Sequence, residues 1–209
     1  MNIYDMTLNE YLKEAASKSP TPGGGSVSAV VACNASAMVS MVANLTLSKK
    51  GYEEAQEDVK SILSVMDKIT AELKELTEKD IQAFQNFMDS WRLPSATEDE
   101  KNRKKELMEK AAQNASLVPL ELCRTCLLIL KQALCLAPIG NKSAISDVGV
   151  GVYLAEAALK SAMLSVDINL PLIKDDVFRA YLLTEKTRLF TESDELKLLA
   201  LNEVRKRLQ

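Results

Sequence analysis

The sequence contains no histidine. That absence removes histidine-based catalytic triads, HExxH zinc sites and the Glu-x-x-His ligand pairs of di-iron bundles. Any acid–base chemistry falls to carboxylates, lysine, tyrosine or water. Glycine is scarce, with seven in the chain and none between Tyr52 and Ile139, so nothing punctuates a helix over that stretch. Aromatic residues make up only 5% of the chain, and the Val/Ile/Thr alternation of strands is nearly missing. Residues 19–48 carry no charge at all. Residues 26–48 are long enough to cross a bilayer. However, eight of them are Ser, Thr or Asn and the apolar members are mostly Ala and Val, so a buried central helix is expected and no membrane span. A net charge of −3 offers no basic field for nucleic acid. Residues 1–15 are polar and acidic, unlike a secretion signal, which makes a soluble cytoplasmic protein the expectation.

What is present is helix-forming: Ala, Leu, Met, Glu and Lys dominate. The 209 residues read as an all-α fold, one helical domain over 1–209 built as a bundle of about six long helices around a buried small-residue helix. Thr7-x-x-Glu10 forms a capping box that opens a first helix, ending before Pro20. The segment Pro20–Ser26 is expected to be a tight non-helical loop, with the charge-free helix following over about Ser26–Ser48. Such a helix belongs at the centre of the fold or of a dimer interface.

A helix over about Tyr52–Trp91 carries the apolar stripe Val59, Ile62, Met66, Ile69, Leu73, Leu76, Phe84, Phe87 and Trp91. Position 80 falls within that stripe, and it is Asp80. Thr97-x-x-Glu100 caps the next helix, to about Leu136, which Pro119 is expected to kink or break. A second loop, Pro138–Asn141, leads to a helix over about Ser143–Ile168. Pro171 follows, then an amphipathic stretch from about Lys174 to Leu208 with an expected interruption near Thr191.

Cys33, Cys123, Cys126 and Cys135 are expected to be reduced thiols. Cys123 and Cys126 form a CxxC inside an apolar helical run, and zinc would need two more ligands, so these two read as core packing and no metal site is expected.

Several polar residues stand out. Gly23, Gly24, Gly25 and Ser26 precede a helix N-terminus, where free N–H groups attract anions; the plainer reading is a tight connection capped by Ser26. A buried Asp80 needs a partner or a cavity, and burial raises its pKa toward the range of a general acid or base. The alternative is a carboxylate tied to a helix N-terminus or a lysine. Asp147 reads either as a first-turn acid favouring the helix dipole or as a site residue. Asn44, if buried, must be hydrogen-bonded. Asn169 reads by default as a helix C-cap, and Lys49 and Lys50 as cations complementing a helix C-terminus or attracting an anionic group.

Four segments together resemble the cyclodeaminase/cyclohydrolase family, which takes in the cyclodeaminase part of formiminotransferase-cyclodeaminase and bacterial methenyl-tetrahydrofolate cyclohydrolases. They are Thr21–Ala29 continuing to Met41–Thr46; Asp80–Phe84; Val118–Leu120; and Gly140-Asn141 with Ser146-Asp147 and Ile168–Leu170. The resemblance implies an all-helical homodimer that binds a reduced folate, with tetrahydrofolate as the one-carbon carrier and no further cofactor. It implies cyclisation of formimino-tetrahydrofolate with loss of ammonia, or hydrolysis of methenyl-tetrahydrofolate. On that reading Asp80 or Asp147 moves protons, Asn44 and Asn141 orient the ligand, and Asn169 stands in the site. Lys49 or Lys50 and the Gly23–Ser26 loop would meet the anionic tail. Two rivals remain: a non-enzymatic helical assembly module, and a relative acting on another small amide or amidine, suggested by Asp167 in Ser165–Asn169.

Overall fold

The structure, a computed structural model, describes residues 3–209. Among them are six α-helices, four short 3-10 turns and no strand. The helices are α1 (Leu8–Ala15), α2 (Gly24–Thr46), α3 (Gln56–Trp91), α4 (Glu98–Leu136), α5 (Ile145–Asp167) and α6 (Asp176–Leu208).

Both capping boxes form. Thr7 and Thr97 accept from the backbone N–H of Glu10 and Glu100, and each glutamate reaches back to the cap N–H. Three expectations need correction. The glycine run is not a loop throughout, because α2 begins at Gly24, so Gly24, Gly25 and Ser26 form its first turn and Gly23 is the cap residue. Pro119 does not break α4; it lies buried within a continuous helix of 39 residues, where packing on all sides outweighs the lost backbone hydrogen bond. No interruption occurs near Thr191. α6 is continuous because its ion pairs reach across to α4, Arg124 to Glu185 at 2.6 Å and Lys131 to Glu192 at 2.7 Å, and to α5 through Lys186 and Asp167 at 2.7 Å.

α2 packs against α3, α4 and α5, and α5 lies between α2 and α6 with its inner side on α4. α2 and α5 run antiparallel: Asn141 N–H donates to Thr46 Oγ1 at 2.8 Å at one end, while Ser165 and Asn169 meet Gly23–Gly25 at the other. Small residues let these backbones close up. A Cβ at Gly151 would stand 3.0 Å from Val39 Cγ2 and 3.1 Å from the Ala35 carbonyl, so the contact admits no larger residue without a shift. The buried hydroxyls of this region are paired, Ser36 with Thr70 at 2.7 Å and Thr46 with the Val42 carbonyl at 2.7 Å. α2 and the segment Lys142–Leu172 are each long and apolar enough to cross a membrane by length and composition, and half of each is buried inside the fold.

Candidate functional site

α2 starts on three glycines, so its first turn has no side chain of its own at the cap: Gly23 makes no side-chain hydrogen bond. The missing acceptor comes from α3. Ser26 Oγ–H donates to Asp80 Oδ2 at 2.9 Å, and the Ser26 backbone N–H donates to the same carboxylate. Asp80 thus caps α2 from 54 residues away, close to the positive end of its dipole. The approach is tight enough that a Cβ on Gly25 would stand 2.6 Å from Asp80 Cγ.

Beside this contact is a cavity of about 330 Å³. Pro20, Thr21 and Gly23–Gly25 form one wall, Phe84 and Phe87 another, and Ser165, Ile168, Asn169 and Leu172 close the far side. Asp80 is the sole titratable residue in the lining. Burial pushes its carboxyl above the ordinary aspartate range, and the two hydrogen bonds from Ser26 pull it part of the way back. The cavity is therefore mainly apolar, with one carboxyl that burial makes readier to hold a proton than an ordinary aspartate.

The aromatic end of the α3 stripe accordingly leaves the core, with only Phe87 still packed against its edge. Phe84 and Phe87 face the cavity, and Trp91, tilted against Phe87 at 6.5 Å, is 54% exposed. The sequence stripe ran on past the point where packing gives way to an open space.

The structure brings together Gly23, Gly24, Gly25, Ser26, Asp80 and Asn169. Ser26 is buried and serves Asp80 rather than the cap position. Asn169 lines the cavity while its Nδ2 donates to the Ser165 carbonyl at 2.9 Å. Asn44, Lys49, Asn141 and Asp147 are not brought to this cavity within one chain. They gather at the opposite end of α2, roughly 30 Å away for a helix of this length. There Lys49 Nζ donates to Asn141 Oδ1 at 2.7 Å, and Asn141 Nδ2 donates to the Leu45 carbonyl at 3.1 Å. Asn44 is exposed and Asp147 half-buried in the first turn of α5. Lys50 is exposed just past them.

Sequence reasoning missed the apolar walls, Phe84, Phe87, Ile168 and Leu172. Their signal was present only as an apolar stripe continuing beyond Asp80. Asp167 is held by Lys186 Nζ at 2.7 and 2.8 Å and does not line the cavity. Cys123 and Cys126 are buried in α4, the Cys123 thiol donating to the Leu159 carbonyl at 3.2 Å and pushed up to about 12 by burial.

Fold and site together define an all-helical bundle with a carboxyl-bearing cavity at the glycine-opened end of its central helix. Residues 7–188 match the sequence model of the formiminotransferase-cyclodeaminase family. A methenyltetrahydrofolate cyclohydrolase from Methylorubrum extorquens is 36% identical over 190 residues, 91% of each chain. A formimidoyltransferase-cyclodeaminase from Rattus norvegicus is 30% identical over 187 residues, which are 90% of this chain and 34% of that longer one. The solved structure of a formiminotetrahydrofolate cyclodeaminase from Thermotoga maritima superposes with a TM-score of 0.88 at 28% identity, covering 99% of this chain and 100% of the other. The chain belongs to the formiminotransferase-cyclodeaminase family.

Proposed function

We propose that this protein is a folate one-carbon enzyme that cyclises formimino-tetrahydrofolate with release of ammonia or hydrolyses methenyl-tetrahydrofolate, with Asp80 as the proton-transfer group. One observation carries the reading: the sole titratable side chain of the cavity is a half-buried carboxyl with a raised pKa, in a protein whose relatives bear those two activities in their names. The cavity has the size and apolar character that suit a bicyclic pterin, with Asn169 and the Thr21–Gly25 backbone as polar contacts and the tail of the folate running out of the mouth.

In cyclodeamination the anilino nitrogen of the folate attacks the protonated formimino carbon. A carbon–nitrogen bond forms, and the attacking nitrogen gives up its proton. Asp80 in its ionised form accepts that proton and returns it to the amino group of the tetrahedral carbon. The carbon–nitrogen bond to that group then breaks, leaving ammonia and the methenyl cation. In cyclohydrolysis water adds to the methenyl carbon and loses a proton to Asp80, which protonates the ring nitrogen as its bond to carbon breaks; the formyl product forms with net release of one proton. Both routes pass through one tetrahedral carbon between nitrogens, and holding the partners in the cavity supplies proximity.

The test is to supply each reduced folate to the purified protein and follow the appearance or loss of methenyl-tetrahydrofolate absorbance. Turnover of one of them, lost in Asp80→Asn, is expected. A wild-type protein that turns over neither would end the proposal.

A further inference from the structure

We propose that the groove between the projecting ends of α3 and α4 is the seat of the benzoyl-glutamate arm of the folate, with Lys79 and Lys110 holding its carboxylates. The inference rests on the folate reading above and names where the substrate runs once it leaves the Asp80 cavity.

The groove exists because α3 and α4 outrun the helix they flank. Asp80 stands against the first turn of α2, yet α3 continues over residues 81–91, about 16 Å further. α4 returns alongside it, Lys104 Nζ donating to the Leu93 carbonyl at 3.0 Å. The two ends enclose an open groove of about 710 Å³, with Leu107, Ala111 and Val118 as an apolar floor. Ala83 lines both this groove and the Asp80 cavity, so the two spaces meet at a single methyl group. Counting along the antiparallel pair from Leu93 and Lys104, Asn114 comes level with about Ala83, and Lys110 with about Phe87. Lys79 precedes Ala83 by four residues, and Lys110 precedes Asn114 by four. The two lysines therefore stand about 6 Å to either side of the junction, one on each helix.

Size, charge and distance select the occupant. The 330 Å³ cavity is at the lower end of the range for ligand pockets, so it takes the bicyclic ring and leaves the arm outside. That arm joins an aromatic ring, an amide and two carboxylates. No cation lines the cavity, and Lys49 and Lys50 of the same chain lie past the far end of α2, roughly 30 Å away. The groove offers an apolar floor for the aromatic ring and two cations for the carboxylates. Gln82 Nε2 donates to Asn86 Oδ1 at 2.9 Å, and Asn86 Nδ2 has no acceptor among the described residues, which leaves it for the amide carbonyl of the arm. Each lysine is paired with an acid of its own helix, Lys79 with Glu75 at 3.3 Å and Lys110 with Glu106 at 2.7 Å. Exposed pairs at this spacing are weak, so exchanging one for a ligand carboxylate costs little. The one acid of the lining, Asp89, lies nearer the α3–α4 connection and is itself paired with Arg92 at 3.4 Å.

The test compares a whole folate with its ring alone. 5-Formyl-tetrahydrofolate and 6-methyl-tetrahydropterin, which lacks the arm, are titrated into the full chain by calorimetry. The wild type is expected to bind the whole folate more tightly, and raising sodium chloride from about 50 to about 300 mM should erode that advantage. In the double variant Lys79→Gln/Lys110→Gln the whole folate should bind about tenfold more weakly while the ring binds as before. The variant Lys79→Arg/Lys110→Arg keeps the charge and should keep most of the affinity. Unchanged affinity for the whole folate in the glutamine variant, or an equal loss for ring and whole folate, overturns the proposal. Turnover of either folate with a KM indifferent to both lysines sinks the groove and leaves the folate reading standing. Lysine-dependent binding of the whole folate by a protein that turns over neither substrate does the reverse, and a protein that binds neither probe ends both.

Discussion

Gly25 and Asp80 occupy each other's space: the carboxyl of Asp80 sits where a side chain at position 25 would go, 2.6 Å from an added Cβ to Asp80 Cγ. In an ordinary helix interior, replacing glycine by alanine gains roughly 0.5–1 kcal/mol. Here Gly25→Ala is expected to lose about 1–3 kcal/mol, because the carboxyl must give up its hydrogen bonds to Ser26 and shift toward the cavity to make way for the added methyl. Thermal unfolding measures the loss. Adding Asp80→Ala should restore part of it, and a double variant no better than Gly25→Ala would show that the collision lies elsewhere.

Asp80→Asn separates stability from chemistry. The folded-state pKa of Asp80 lies above its ordinary value, chiefly through burial. A carboxyl raised on folding favours the folded state while protonated, at pH below its unfolded value, and that contribution declines as pH rises through the folded value. The asparagine variant lacks this decline. Its stability relative to wild type should therefore improve from acid to neutral pH in urea unfolding, while turnover falls by orders of magnitude. A variant that loses both stability and turnover at neutral pH would make Asp80 a structural cap only.

Ser26→Ala tests how the carboxyl is tuned. Ser26 is buried, and its hydroxyl is one of the two bonds that lower the Asp80 pKa. Removing it raises that pKa further. If Asp80 works in its ionised form, the rise of turnover with pH moves to higher pH, with the plateau less affected. An unmoved profile would show that Ser26 does not govern the proton.

The cysteines should differ sharply in reactivity. Cys135 is exposed, whereas Cys123 and Cys126 are buried, with thiols that burial holds well protonated. A maleimide is expected to label Cys135 in the folded protein and to reach Cys123 and Cys126 only in denaturant, as peptide mapping would record. Fast labelling of either in the native state would contradict the packing of α4.

Arg207 fastens the end of α6 to the second loop, its guanidinium donating to the carbonyls of Pro138 and Gly140, both at 2.6 Å. Charge-assisted bonds of this kind contribute about 1.5–3 kcal/mol, so Arg207→Ala should lower the unfolding midpoint measurably and Arg207→Lys should recover only part, lacking the two-pronged donor. An Arg207→Lys protein as stable as wild type would argue against the fork.

Much of this was legible before any coordinates. Thr7 and Thr97 announced their helices because a capping box is written in four consecutive residues. Asp80 announced itself because an acid in a three-four apolar stripe is costly without a reason. The start of α2 was misplaced because helix starts are recognised by a local cap, and here the acceptor comes from Asp80, far away in the chain. Pro119 was misjudged because burial, not propensity, decides its cost. Asn44, Lys49, Asn141 and Asp147 were grouped with Asp80 because the direction in which α2 and α5 run past each other is a tertiary fact, invisible in spacing. The approach of Gly151 to Val39 explains the small residues only once the two helices are seen side by side.

Asp80 sits 25 positions into a helix of 36 residues that is anchored by buried Val59, Ile62, Met66, Ile69 and Leu73. Its aim is thus dictated by the winding of everything before it. Inserting one residue between Leu73 and Asp80 would swing the carboxyl by about 100° away from the first turn of α2, and inserting seven would restore its bearing yet carry it about 10 Å along the axis. Natural length variation is therefore expected to concentrate in the connections, such as residues 92–97, and to spare that span of α3.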